Sequence, residues 1–227
     1  MFAPHSLAFD MAAPRTQPHS SVPKRLYKPS PVARVRKGAV ELVPKRPRYD
    51  GLRMKREDFL AWEREADGWK YEWNKGIIEI NEVNMTAKER KIVVCILRAF
   101  GKTSYYANGN EILPETDCEF HALDTMRRPD LSYFTSEQIE ASWNGEQPVP
   151  TFVIELISKN DKFAAITHKI DEYFSVGVQC VWYIHPEQER VYVYTSPTEV
   201  HICTGDMLCS AAPALPEFSL SPNQLFA

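Results

Sequence analysis

Apolar and polar residues alternate along WKYEWN (69–74) and GIIEINEV (76–83), with Asn74-Lys75-Gly76 at the junction. A period of two on both sides of an Asn/Gly turn predicts a β-hairpin. The period changes in AKERKIVVCILRAFG (87–101). There Ile92, Cys95, Ile96 and Ala99 recur at helical spacing, and Gly101 stands where a helix would stop. MKREDFLAWEREADG (54–68) predicts a shorter amphipathic helix with Phe59, Leu60 and Trp62 as its apolar side. TDCEFHALDTMRRPDLSYF (116–134) predicts two strands around a turn, and 143–150, with Gly145, Pro148 and Pro150, a loop. FAAITHKIDEYFSVGV (163–178) predicts a helix, and VQCVWYIHPEQERVYVYTS (178–196) a strand, a turn and a strand. TEVHICTGD (198–206) adds a strand, and SPNQLF (221–226) carries a Ser-Pro helix start. Strands mixed with helices predict an α/β chain, with a mixed central β-sheet flanked by helices.

One stretch breaks the pattern. In TFVIELISKND (151–161), five of the first seven residues are apolar, and Glu155 stands among them. On a strand, Thr151, Val153, Glu155 and Ile157 share one face, and Phe152, Ile154, Leu156 and Ser158 the other. Both faces are apolar, which predicts a central strand. An unpaired carboxylate there costs several kcal/mol or takes up a proton. Its partner would be a Lys or Arg, a hydrogen-bonded network or a metal ion; otherwise Glu155 sits at a strand end near solvent. A second acid, Asp130, follows Pro129 and opens the strand-like run LSYF. Two acids on neighbouring strands make an oxygen-rich site of the kind Mg²⁺ prefers. On the helix that follows, Phe163, Ile166, Ile170, Tyr173 and Phe174 form the apolar stripe. His168, Asp171 and Glu172 point away from it. Lys169 lies at the stripe's edge, about 60° from Ile166 on a wheel of 100° per residue, where it either reaches over the sheet or snorkels.

Charge changes the picture only when the chain is divided. The net charge is −3 over 227 residues. Residues 1–50 hold ten Lys/Arg, three Asp/Glu and eight of the 17 prolines, a charge of +7; the remainder carries −10. The first segment is expected to be a disordered, basic, Pro-rich arm, followed by one domain over 51–227. An overlong start-site assignment, with Met54 as the true start, explains part of the arm equally well. Five scattered cysteines without a CxxC pair argue against a disulfide framework or structural zinc. No stretch approaches the about 18 apolar residues of a membrane helix, and no signal-peptide core is present. No membrane association and a cytoplasmic location are the expectation.

The order of Asp130, Glu155 in an apolar strand and Lys169 in the next helix resembles the Uma-type restriction endonucleases, members of the PD-(D/E)XK nuclease superfamily. The resemblance runs over roughly 54–227. It includes EDFLAWEREADGWKYEWNKGIIEI, RRPDLSYF, VIELIS, HKIDEYFSVGVQCVWYIHP and LPEFSLSPNQLF. It implies a restriction-endonuclease-like fold and metal-dependent endonuclease activity on nucleic acid phosphodiesters, DNA foremost, with Mg²⁺ or Mn²⁺ as cofactor. By that resemblance Asp130 and Glu155 hold the metal, Glu72 completes the site, and Lys169 replaces the strand lysine, whose usual position is Ile157. Lys159 and Lys162 are rivals for that role. Lys159 also replaces a proline usual in the family, and His185 an aspartate. Arg127 and Arg128 flank the site and are expected to meet phosphates, or else to be solvated turn charges. The arm would add affinity that falls with salt. Double-strand cleavage needs two sites, which a homodimer would supply. The alternative to an enzyme is a catalytically inactive protein that binds nucleic acid or a partner on the same fold.

Overall fold

A computed structural model describes residues 49–63, 69–82, 85–158 and 161–227. The arm expected over 1–50 lies outside these, apart from Tyr49 and Asp50, as does Lys159. In chain order the elements are helix α1 (Arg56–Leu60), strands β1 (Trp69–Asn74) and β2 (Ile77–Glu82), and helices α2 (Ala87–Phe100) and α3 (Ser104–Ala107). Strands β3 (Glu111–Pro114) and β4 (Cys118–Phe120), a 3-10 turn (His121–Leu123), and strands β5 (Thr125–Arg127) and β6 (Leu131–Phe134) follow. Next come α4 (Ser136–Trp143), β7 (Phe152–Leu156), α5 (Phe163–Ser175), β8 (Cys180–His185) and β9 (Arg190–Ser196). The chain ends with β10 (Glu199–Cys203), β11 (Cys209–Ala211), β12 (Leu215–Leu220) and α6 (Pro222–Phe226). No helix among the described residues is long and apolar enough to cross a membrane.

Local chemistry accounts for the borders. Lys75 (φ 47°) and Gly76 (φ 87°) are both left-handed, as a two-residue hairpin turn demands, and Asn74 pairs with Ile77 across it. Thr86 and Glu89 cap α2 reciprocally, and Ser221 and Gln224 do the same for α6. Gly101 ends α2 as expected, but in a right-handed conformation (φ −59°), so its freedom at positive φ is not used. The early helix is shorter than expected: α1 closes at Leu60, and Leu60 faces solvent. The span 116–134 forms three strands rather than two, because β5 and β6 belong to different sheets.

Six strands make a mixed sheet in the order β10-β9-β8-β7-β6-β3, where β7 and β8 run parallel and every other pair antiparallel. Helix α5 is the crossover between the two parallel strands. As the alternation predicts, Phe152, Ile154 and Leu156 of β7 join a core with Ile92 and Ile96 of α2, Trp182 and Phe218. Val153 on the opposite face packs with Ile170 and Tyr173 of α5. A second sheet, β2-β1-β5-β4, has its own cluster of Phe59, Tyr71, Trp73, Ile78 and Met126. The three-residue link Arg128-Pro129-Asp130 carries the chain from the second sheet into the first.

Trp182 anchors the larger core. It is fully buried, stacks on Phe218 at 5.9 Å and donates its indole N–H to Ser210 O at 3.1 Å. Trp182→Ala is expected to destabilise the fold by about 3–5 kcal/mol. Urea denaturation should then show a lower midpoint at unchanged slope.

Candidate active site

The central strand places its acid as the alternation requires. Leu131 of β6 pairs with Ile154 of β7, so continuing that antiparallel register by one residue sets Asp130 opposite Glu155. Glu155 is 6% exposed, which settles its setting as core rather than an open strand end. Its Oε1 accepts from the Tyr173 hydroxyl at 2.5 Å and lies 3.7 Å from Lys169 Nζ. Asp130 Oδ2 accepts from Leu156 N at 2.7 Å, which fixes the carboxylate over the end of β7.

The hairpin supplies the other wall. Tyr71 and Trp73 turn into the small core, so Lys70 and Glu72 share the opposite face. Glu72 is fully buried, yet three donors bond to its carboxylate. Oε1 accepts from Lys169 Nζ at 3.0 Å and from Arg128 N at 3.0 Å, and Oε2 from Arg127 Nη1 at 3.2 Å. Burial pushes the Glu72 carboxyl up, but Lys169, Arg127 and Lys70 outweigh it and hold it down at about 2. Lys70, 4% exposed, places Nζ 2.8 Å from Asp130 Oδ1 and 3.8 Å from Glu115 Oε2. Burial alone would lower both Lys70 and Lys169. The surrounding carboxylates reverse this, and both ammonium groups are held above the usual lysine range.

Asp130, Glu155, Lys169 and Glu72 therefore converge from the link before β6, from β7, from α5 and from β1. Arg127 corrects the sequence expectation. It is 1% exposed, and its guanidinium is bound to Glu72, to Glu79 and, through Nε at 2.8 Å, to Glu172, so no face is left for a phosphate. The physical reason is a row across three strands. Glu79 pairs with Glu72, the β1–β5 register continued by one residue sets Glu72 beside Arg127, and two adjacent acids need a cation. Glu172 is a second correction. It is buried against Arg127, because α5 packs on the second sheet's charged row as well as on β7. Arg128 stays partly at the surface, bonded to Asp117 at 2.6 Å. Lys162 and Phe163 are exposed at the start of α5, and Lys169 alone of the described candidate lysines enters the cluster.

Lys70, Glu115, Tyr173 and Tyr183 belong to the site and were not singled out as site residues from sequence. In the sequence Tyr173 reads only as part of the packing stripe. Lys70 had a signal, since it lies two residues before Glu72 on the same strand face. Glu115 had none, because its side chain arrives from the irregular segment after β3. Glu115 Oε2 and the Tyr183 hydroxyl are buried without a hydrogen-bond partner, and burial raises the Glu115 carboxyl to about 7. Glu155 is raised as well, by burial first and then by Asp130 and Glu72.

Six carboxyl groups (Glu72, Glu79, Glu115, Asp130, Glu155 and Glu172) thus face three cations: Lys70, Arg127 and Lys169. Among the described residues no three His, Cys, Asp or Glu side chains form a ready-made metal cage. Asp130 and Glu155 nonetheless offer anionic oxygens beside orphaned polar atoms and surplus negative charge. That donor set fits a hard divalent cation that keeps part of its water shell.

The sequence model of the family Uma2, described as "Putative restriction endonuclease", matches residues 56–223. A solved structure of a "putative nuclease belonging to DUF820", from Anabaena variabilis, is similar at a TM-score of 0.62 and 24% identity. That likeness covers 75% of this chain and 96% of the other, and establishes a shared fold. A DrdV–DNA complex overlaps 50% of this chain and 12% of its own at 14% identity, with a TM-score of 0.30. None of the curated proteins matches.

Two outcomes are expected. Arg127→Ala takes one of two cations from Glu72 and the buried arginine partner from Glu172, and should cost about 3–5 kcal/mol in a denaturant titration. The folded Glu115 carboxyl lies at about 7 against an ordinary 4.5, so between those values the folded chain holds the proton more tightly. Its contribution falls as pH rises through that window. Glu115→Gln should therefore raise the melting temperature more at pH 8 than at pH 5, as measured by differential scanning calorimetry.

Proposed function

The chain belongs to the Uma2 family and has the restriction-endonuclease-like α/β fold, and from that premise we propose that it is a metal-dependent endonuclease acting on DNA phosphodiesters. The observation that carries the proposal is the meeting of Asp130, Glu155 and Lys169, contributed by three separate elements, around one surplus of negative charge. Asp130 and Glu155 would hold the ion. Mg²⁺ or Mn²⁺ bound there supplies Lewis acidity toward a phosphoryl oxygen and a more acidic water.

The protein's own residues do the rest. Lys169 Nζ, 3.7 Å from Glu155 and partly open to solvent, faces the place where a phosphate would lie beside that carboxylate. There it offsets the negative charge that grows on the phosphoryl oxygens and orients the attacking water. Glu72 is a positioning residue. Its oxygens are already taken by three donors, and its effect on the reaction runs through the Lys169 ammonium it holds at 3.0 Å. Tyr173 holds Glu155 in one orientation. Arg128, the flanking arginine that stays at the surface, meets a neighbouring phosphate.

The test is cleavage of duplex and single-stranded DNA with Mg²⁺ or Mn²⁺. Asp130→Ala, Glu155→Ala and Lys169→Ala should each lower the rate by about 10²–10⁴. Cleavage that survives all three changes rejects the site. A wild-type chain that neither cleaves nor binds divalent metal by calorimetry favours the alternative, a non-catalytic binding protein.

A further inference from the structure

Lys70 is the cation of the site for which the reaction has no evident task. Lysine is seldom this deeply buried unless paired. Its partner is Asp130, a carboxylate that the metal reading also needs. The ammonium stands 2.8 Å from Oδ1, and Leu156 N–H takes Oδ2. One oxygen of the metal-holding acid is therefore already neutralised by the protein's own charge. A second carboxylate waits beside the same ammonium. Glu115 Oε2 is 3.8 Å from Lys70 Nζ, beyond hydrogen-bond length, and has no hydrogen-bond partner. A flexible four-carbon stem rooted on β1 needs to move its tip by only about an ångström to exchange one acid for the other at ordinary bond lengths.

We propose that Lys70 is a resident cation of the site: its ammonium holds Asp130 in the absence of metal, and turns to Glu115 when a divalent cation takes Asp130 Oδ1. The inference rests on the metal-dependent reading above and deepens it. The metal-free site is kept from collapsing under its own negative charge. The metal-bound site sheds a competing cation from its ligand without sending that charge into solvent. Glu115 is then the acceptor that makes the exchange cheap, rather than a ligand.

The test is a double-mutant cycle on Mn²⁺ binding to the full chain by calorimetry, with Lys70→Met, Glu115→Gln and the pair. Removing the competitor should tighten Mn²⁺ binding about tenfold in Lys70→Met, and removing the acceptor should weaken it several-fold in Glu115→Gln. In the Lys70→Met background, Glu115→Gln should have no further effect. Weaker or unchanged binding in Lys70→Met overturns the proposal, as does an equal loss for Glu115→Gln in both backgrounds, which would make Glu115 a direct ligand. Absence of Mn²⁺ binding in every variant overturns the metal reading itself, whereas normal wild-type binding without coupling overturns only the exchange. Should Lys70→Met fail to fold, lysine-ammonium NMR on the wild-type chain decides. The buried Lys70 signal, assigned by its loss in Lys70→Arg, should shift on saturation with Mg²⁺. A signal that stays in place refutes the exchange.

Discussion

A single buried carboxylate ties the two sheets together. Glu72 has no contact with water, and it persists in ionised form because Lys169 of α5, Arg127 of β5 and the backbone N–H of Arg128 all donate to it. Arg127 in turn binds Glu172, three residues after Lys169 on α5. The helix is thus gripped at two points one turn apart by two adjacent strands. Buried ion pairs of this kind add little net stability, because desolvation offsets most of their attraction. Their worth here is geometric. A carboxylate without water must find donors, and only one relative placement of the hairpin, β5 and α5 supplies them all. That same placement brings Lys169 to Glu155.

The charge balance of the site follows from the same constraint. Arg127 is committed to Glu72, Glu79 and Glu172, and Lys169 is shared between Glu72 and Glu155, so Lys70 is the cation left to Asp130 and Glu115. The deficit of positive charge is therefore concentrated where the two sheets meet, at the Arg128-Pro129-Asp130 link, instead of being spread along the network. Burial answers it in part with protons, since neither Glu115 nor Glu155 ionises as readily as a surface acid. A region that holds carboxylates close together and dry selects for a compact, highly charged partner over a monovalent one.

How much of this the sequence discloses depends on whether the cause is local. Glu155 is legible because a period of two with one charged exception identifies both the strand and the anomaly. The hairpin is legible from Asn74-Lys75-Gly76, and α2 from its stripe and Gly101. Arg127 is misread because Arg-Arg-Pro-Asp looks like a charged turn. The row Glu79–Glu72–Arg127 exists only after three strands are in register. The hairpin alone does foretell that Glu72 and Glu79 are paired across β1 and β2, and two facing acids already ask for a cation. Helix α4 and strands β3, β11 and β12 are short, and their sequences lack a clean period. Glu172 is misassigned because a helical wheel with one apolar stripe assumes one buried side, whereas α5 has a second side packed on a charged row.

On the reading proposed above, Lys169 stands in for a strand lysine, and there fold and chemistry meet. The strand position two after Glu155 is Ile157, and it packs with the cluster around Val153 and Ile170. An ammonium there would be drawn out of the site into apolar surroundings at a cost of several kcal/mol. Moving the charge to α5 frees the strand for packing but makes the lysine's position depend on how the helix is docked. A strand lysine is fixed by the same ladder that fixes its carboxylate. A helix lysine is fixed only if the helix is, and α5 lies between two sheets that could each hold it differently. The Glu172–Arg127 and Lys169–Glu72 contacts remove that freedom. The buried arginine that looks like a phosphate contact in the sequence is thus part of what the displaced lysine requires.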